Sequence, residues 1–282
     1  MCMVRLDNLG VMRDYRKNIQ KHAGILELSL SLLIVGMGLS CGRQAPDTGT
    51  AGDSSDKAVA GQKILEADQL YAQREDLSKV RLGVALLRQA RIADYGNYEA
   101  AWKLAKFDYY LGSHSSDERE QDSAFREGID SGKIAVQLQE NKPDGHFWLG
   151  ANYGGSAEHS TLAGLANVED IRGEMERVTK LDETYQGGSA YLALGQLYLQ
   201  APRVLGGDHQ KAVELLEKGV QLGGANALLR LKLAEAYHAA NRNADARKQI
   251  AFILSMTPDS NYLPEYKEAV ERAKELQGKI KS

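Results

Sequence analysis

One tyrosine returns at a nearly fixed interval along the chain, and this periodicity limits the fold more than any other feature. Tyr71, Tyr109, Tyr153, Tyr198 and Tyr237 are 38, 44, 45 and 39 residues apart. Their neighbours recur as well. Leu149-Gly150-x-x-Tyr153, Leu194-Gly195-x-x-Tyr198 and Leu233-Ala234-x-x-Tyr237 repeat one pattern. A period of 20–50 residues means stacked supersecondary units that bury their apolar faces on one another. Arrays of this kind present an extended surface to a partner.

The period is helical. From Ala58 onward the apolar residues follow helical spacing, and no alternating strand pattern occurs. Helix pairs are expected at 58–74 with 77–93, 97–112 with 119–140, 144–154 with 165–181, 188–200 with 208–221, and 226–240 with 243–256. A last helix over 262–280 is rich in charge and suits a cap with one wet face. All five prolines fall at expected loops or helix starts. The expected fold is therefore all-α, an α-solenoid of degenerate tetratricopeptide-like helix pairs closed by a C-terminal capping helix, over residues 58–282.

Residues 227–260 fit the tetratricopeptide pattern best. Leu233, Ala234 and Tyr237 lie on the first helix, Ala246, Ile250 and Ile253 on the second, and Pro258 ends the unit. Small residues at 234 and 246 let two helices cross closely, while Tyr237 fills the wedge to the next pair. Arg230 stands where the pattern usually has Trp. Leu194, Gly195 and Tyr198 play the same packing parts one unit earlier. Two Gly-rich stretches, 154–160 and 201–208, read as insertions between helices. In a solenoid, insertions gather on one rim, often the binding one.

The N-terminal 41 residues read differently. Met12 supplies an alternative start, followed by Arg13, Arg16, Lys17 and Lys21 and then an apolar stretch at 28–39. Twelve apolar residues suit a signal sequence, since spanning a bilayer takes about 20. The following Leu39-Ser40-Cys41-Gly42 resembles a bacterial lipobox, although Gly38 stands where Leu is usual. That resemblance implies lipidation at Cys41. Residues 42–57, GRQAPDTGTAGDSSDK, have little to bury and are expected to form a flexible tether reaching roughly 20–25 Å. The chain's other cysteine is Cys2, so the mature domain has no internal disulfide or Cys-based metal site. Past residue 41 there are 30 basic and 35 acidic side chains, which argues against nucleic acid as partner.

Chemistry-bearing constellations are sparse. His146, His159, His209 and His238 lie in different units without metal-ligand spacing, so no metal or cofactor is expected. No nucleophile–base arrangement can be read from spacing, so no catalytic residue is assigned. Leu205-Gly206-Gly207-Asp208 could cradle an anion on free amides. It reads more simply as a turn in which the glycines permit positive φ and Asp208 caps the next helix. Trp102, Tyr109, Phe147, Trp148 and Tyr153 form a dense aromatic group in the middle units. They fit core packing, or a groove for an extended apolar ligand or a partner's helix. Phe147 and Trp148 are adjacent, about 100° apart on a helix, which makes one of them a candidate exposed contact. These five aromatics and the 205–208 turn are the candidate partner- or ligand-binding residues.

Three stretches together resemble the T-component family of TRAP (tripartite ATP-independent periplasmic) transporter systems. They are Asn97-Tyr98-Glu99-Ala100-Ala101-Trp102-Lys103-Leu104-Ala105, His146-Phe147-Trp148-Leu149-Gly150-Ala151-Asn152-Tyr153-Gly154 and Leu205-Gly206-Gly207-Asp208-His209-Gln210-Lys211-Ala212. The resemblance implies an all-helical, non-enzymatic lipoprotein of the bacterial periplasm, anchored to the cell envelope with the outer membrane the expected one. It further implies a periplasmic solute-binding protein as partner, and homo-oligomers with a pore or cavity suited to a small apolar ligand. A general envelope-assembly adaptor and a carrier of an apolar molecule are the alternative readings of the same residues.

Overall fold

The computed structural model describes residues 54–159 and 161–280. They fall within one of the two compact units into which the chain divides, Thr48–Ser282; the other, Met1–Asp47, lies outside the described residues. The expected signal segment 1–41, its Cys41, and residues 42–53 of the expected tether are likewise outside them.

Eleven α-helices make up the described residues: α1 (Ser54–Tyr71), α2 (Leu77–Ala93), α3 (Tyr98–His114), α4 (Glu118–Leu138), α5 (Pro143–His159), α6 (Thr161–Leu181), α7 (Ser189–Gln200), α8 (His209–Leu222), α9 (Ala227–Ala239), α10 (Asn243–Ser255) and α11 (Leu263–Lys279). Short 3₁₀ turns occupy Arg203–Leu205 and Ser260–Tyr262. Many starts are written in the sequence. Asp76, Asn97, Asp117, Asp208 and Asn226 each accept a hydrogen bond from a backbone N–H of the first turn. Each such cap stabilises its helix by about 1 kcal/mol.

Consecutive helices pack as hairpins, and each odd-numbered helix also packs on the next odd-numbered one. The even-numbered helices stand further apart and reach each other through long side chains, as in the ion pair of Arg81 with Glu120. The array therefore curves, with the odd helices as its inner layer and the even helices outside. Apolar clusters follow one another along it. One is built around Val80, Leu87 and Phe107, one around Phe147, Trp148 and Met175, and one around Leu216, Leu231 and Ile250.

The repeat-packing residues are in this core. Leu194, Tyr198, Leu233, Ala234, Tyr237 and Ala246 are buried. Tyr237 donates to Glu217 of the preceding hairpin at 2.7 Å. A Cβ on Gly195 would lie 2.3 Å from the Leu216 side chain, so only glycine admits that crossing. Pro258 follows the end of α10 at Ser255 and bars its continuation. Arg230 takes the place of the usual Trp by stacking its guanidinium 3.6 Å above the Phe252 ring and donating to Gln249.

Two expectations are corrected. Residues 154–159 of the expected 154–160 insertion are not a loop: α5 runs unbroken through Gly154 and Gly155 to His159. The reason is packing. A Cβ on Gly155 would sit 2.1 Å from Phe125 Cε1, so this glycine lets α5 approach α4 and makes no turn. The second concerns the tether, since Ser54–Lys57 already form the first turn of α1. Asp56 there complements the positive end of the helix.

Candidate functional site

The inner layer carries the candidate site. On α3, Trp102, Lys106, Tyr109 and Ser113 follow one another at steps of four, three and four residues, which places them in one stripe along the helix. Trp102, Lys106 and Tyr109 are half-buried and Ser113 is exposed. Opposite the stripe stand Tyr71 at the end of α1 and Trp148 on α5. The Lys106 ammonium lies 3.9 Å from the Tyr71 ring centroid and 5.9 Å from that of Trp148. Burial lowers its pKa to about 8, partly offset by Asp68. Tyr109 sits 5.8 Å from Trp148, and Trp148 5.0 Å from Phe147 at nearly a right angle. Phe147 in turn meets Tyr185 at 5.3 Å.

Trp102, Tyr109, Phe147 and Trp148 thus belong to one cluster, as their sequence density suggested. Their exposure differs from expectation. Phe147 and Trp148 are both buried, at 8% and 6%, so neither is an exposed contact. The physical reason is that α5 has α3, α4, α6 and α7 around it. A helix enclosed by four neighbours buries more than one face. The indole N–H of Trp148 is buried without an acceptor. Tyr153 packs against the same cluster, its ring 5.9 Å from the Lys133 ammonium of α4 and its carbonyl accepting from Asn167 of α6.

The 205–208 turn sits elsewhere, between α7 and α8. Gly206 adopts φ +88°, the left-handed region, and accounts for one glycine. Gly207 is required for space, since a Cβ would be 1.8 Å from the Ala201 carbonyl oxygen. Asp208 caps α8 with its carboxylate and donates its own N–H to Tyr198 at 2.8 Å. Arg172 of α6 donates to the Leu205 carbonyl and lies over Tyr198, whose hydroxyl accepts from Lys211 at 2.7 Å. The amides that could have held an anion are committed to this internal network. The turn displays Val204, which is 91% exposed.

A feature invisible to the repeat pattern brings the two ends of the array together. Arg74, in the turn after α1, donates two hydrogen bonds from Nη2 to Glu265 of α11, at 2.6 and 2.9 Å, and a third from Nε at 3.1 Å. Its side chain is 6% exposed and that of Glu265 27%. Its guanidinium also lies 4.9 Å from Tyr71. An exposed second pair, Lys267 with Glu75, spans the same junction at 2.7 Å. Glu265 also reaches the inner face electrostatically. Burial, opposed by Arg74 and assisted by Glu265, pushes the Tyr110 phenol up to about 12. The inner layer is thus enclosed by a ring whose first and last elements are joined.

Two further polar contacts hold the middle of the ring. Asp144 accepts from Tyr98 at 3.1 Å and from Tyr185 at 2.9 Å, linking α3, α5 and the turn before α7. His146 pairs with Glu174 at 2.6 Å, its second ring nitrogen lying 2.8 Å from the Glu140 carbonyl. Burial alone would lower its pKa, but Glu174 and that carbonyl outweigh burial and the net shift is upward. Among the described residues no three His, Cys, Asp or Glu converge as a metal site, and no helix is long and apolar enough to cross a membrane.

The family model for the TRAP transporter T-component matches residues 109–277, more than half of the chain. The chain belongs to the TRAP transporter T-component family. No curated protein matches the sequence. Among solved structures, this family member is similar to a thermophilic tetratricopeptide protein of Thermus thermophilus, at 21% identity and a TM-score of 0.57, over 75% of this chain and 99% of that one. It is also similar to PilF of Pseudomonas aeruginosa, at 14% identity and a TM-score of 0.51, over 78% and 90% of the two chains. These likenesses establish the fold: the T-component is an all-α solenoid of tetratricopeptide type. Its family associates with a transporter, and repeat arrays of this fold serve as scaffolds and adaptors.

Proposed function

We propose that this chain is a non-catalytic scaffold of the periplasm, held to the envelope by a lipid on Cys41, that binds a solute-receptor protein and assists solute uptake. The observation that carries the reading is the family match over residues 109–277. We assign the contact to the inner layer of helices. This layer offers a stripe on α3, the half-buried Trp102, Lys106 and Tyr109, set against Tyr71 of α1 and Trp148 of α5, and solenoids receive partners on such a face. Trp102, Tyr109 and the exposed Ser113 are the residues assigned to it, with Phe147 and Trp148 supporting from beneath. Tyr153 packs at the edge of the same cluster, and the exposed Val204 turn lies between α7 and α8.

The test is affinity capture with the tagged full-length protein from envelope extract, the bound proteins being identified by mass spectrometry. Specific recovery of a solute-binding receptor supports the proposal. Recovery of outer-membrane or cell-wall assembly proteins in its place replaces it with a general envelope-adaptor role. In the same strain, Cys41→Ser moves the protein into the soluble fraction; retention on membranes contradicts the lipid anchor.

The aromatic cluster favours a second reading, in which the ring itself carries a small apolar ligand. The indole N–H of Trp148 has no acceptor, and Lys106 borders it with aromatic rings around its ammonium. Protein purified without detergent would then hold a recurrent co-purified molecule in mass spectra of the native state, and an empty protein would rule this reading out.

A further inference from the structure

The two ends of the array are finished differently. At the C-terminal end the charged helix α11 covers α9 and α10. At the N-terminal end α1 and α2 pack on each other and on α3, and α11 reaches this hairpin at the turn after α1, through the ion pairs of Arg74 and Glu75. A terminal repeat needs a polar outer face to stay soluble. This one has the reverse. Val59 and Leu65 of α1, Leu82 and Ile92 of α2, and Tyr95 in the turn beyond are between 44% and 72% exposed. They are half of the large apolar side chains exposed among the described residues, gathered in the first of five hairpins. Exposed apolar groups of this kind mark contact surfaces.

Three of the five lie at one end of the hairpin. Lys63 Nζ of α1 donates to Gln89 Oε1 of α2 at 2.6 Å, which sets the register of the two helices. Val59 is one turn before Lys63 and Ile92 about one turn after Gln89, so the antiparallel hairpin carries both to the same end. Tyr95 follows directly after α2 at that end, which is also where α1 begins at Ser54. Charge does not account for the group. In the segments 54–59 and 91–95 the charged side chains are Asp56, Lys57, Arg91 and Asp94, two of each sign. What remains is apolar surface with one tyrosine, a mixture suited to the boundary between water and lipid, where Tyr sets its ring among the headgroups. The chain from Cys41 to Ser54 extends to at most about 45 Å. A lipid on Cys41 therefore keeps a bilayer within reach of this end of the hairpin.

We propose that the Ser54 end of the first hairpin seats on the surface of the lipid bilayer, with Val59, Ile92 and Tyr95 inserted among the headgroups. The seat rests on the lipid anchor at Cys41 and is independent of which partner the inner layer receives. The anchor holds the chain at the membrane, and the apolar group decides which surface of the domain meets lipid. Because the local charges cancel, added salt leaves the seat in place.

The test is spin labelling of the full-length protein, lipidated in cells and reconstituted on vesicles of phosphatidylethanolamine and phosphatidylglycerol. A nitroxide is placed at Ile92→Cys and, separately, at Val204→Cys in the exposed turn between α7 and α8. Vesicle flotation reports the anchor, and collision with oxygen against a water-soluble nickel chelate reports the depth of each label. The proposal requires that the label at 92 lose its collisions with nickel and keep those with oxygen, at low and high salt alike, while the label at 204 stays open to nickel. Val59→Asp combined with Tyr95→Asp, both at the surface, must return nickel access to 92 while flotation persists. Flotation with 92 open to nickel overturns the seat and leaves the anchor standing, whereas no flotation overturns the anchor and the seat with it. Shielding of 92 in Cys41→Ser protein without vesicles assigns the group to a second copy of the chain and also overturns the proposal.

Discussion

Replacing Glu265 by Gln isolates what joins the ends of the array. The guanidinium of Arg74 is 6% exposed and makes three hydrogen bonds to this carboxylate. Breaking a fully buried pair by removing one partner costs about 3–5 kcal/mol, because a buried charge is left uncompensated. Glu265 is 27% exposed and the amide oxygen still accepts one bond, so about 2–3 kcal/mol is expected. In a domain of this size each kcal/mol lowers the melting temperature by about 2–4 °C, giving roughly 4–12 °C. The control is Lys267→Ala at the same junction. That pair is more than half exposed on both sides, and its loss should stay below about 0.5 kcal/mol. Thermal and urea unfolding followed by circular dichroism measure both. Spin labels on Gln73 and Glu271 report the junction directly, and their distance distribution should broaden in Glu265→Gln alone. If Glu265→Gln costs no more than Lys267→Ala, the ring is not held by this pair and the enclosure of the inner face is wrong.

Three further outcomes follow from the packing. Trp148→Ala, at a position 6% exposed, should cost about 3–5 kcal/mol in urea unfolding, and a change under 1 kcal/mol would put Trp148 outside the core. Gly155→Ala should destabilise by roughly 1–3 kcal/mol despite the better helix propensity of Ala, because its Cβ meets Phe125 at 2.1 Å; Gly173→Ala, with nothing within 4 Å, should gain up to about 1 kcal/mol, and equal effects would refute the close approach. The folded pKa of His146 is raised, so its stabilising contribution is complete below the ordinary imidazole value near 6.5 and fades as pH rises through the folded value; the urea midpoint should fall between about pH 6 and 8 in the wild type and flatten in His146→Gln.

The helical repeat was legible because its causes are local. Apolar spacing, Asp and Asn caps, and the Leu-Gly-x-x-Tyr recurrence are each read within a few residues, and every expected helix pair has its counterpart. Gly154-Gly155 misled because glycine in a sequence signals a turn or a close contact equally well; Phe125, some 30 residues away, decides for contact. Phe147 and Trp148 could not be sorted by helical angle, since the number of helices around α5 is a tertiary fact. The Arg74–Glu265 junction spans 191 residues and has no periodic signature. Fold is therefore readable wherever neighbours in space are neighbours in sequence, and the site is least readable where the ring closes on itself.

The central claim is that the inner layer receives a solute-receptor protein. Its most direct test is photo-crosslinking in the native envelope, with a benzophenone amino acid in place of the exposed Ser113 on the inner stripe and, separately, of the exposed Arg126 on outer helix α4. The account predicts that illumination joins a solute-binding receptor to the protein labelled at 113 and not to that labelled at 126. Receptor adducts from 126 alone, or none from 113 when the receptor is co-expressed, would contradict it.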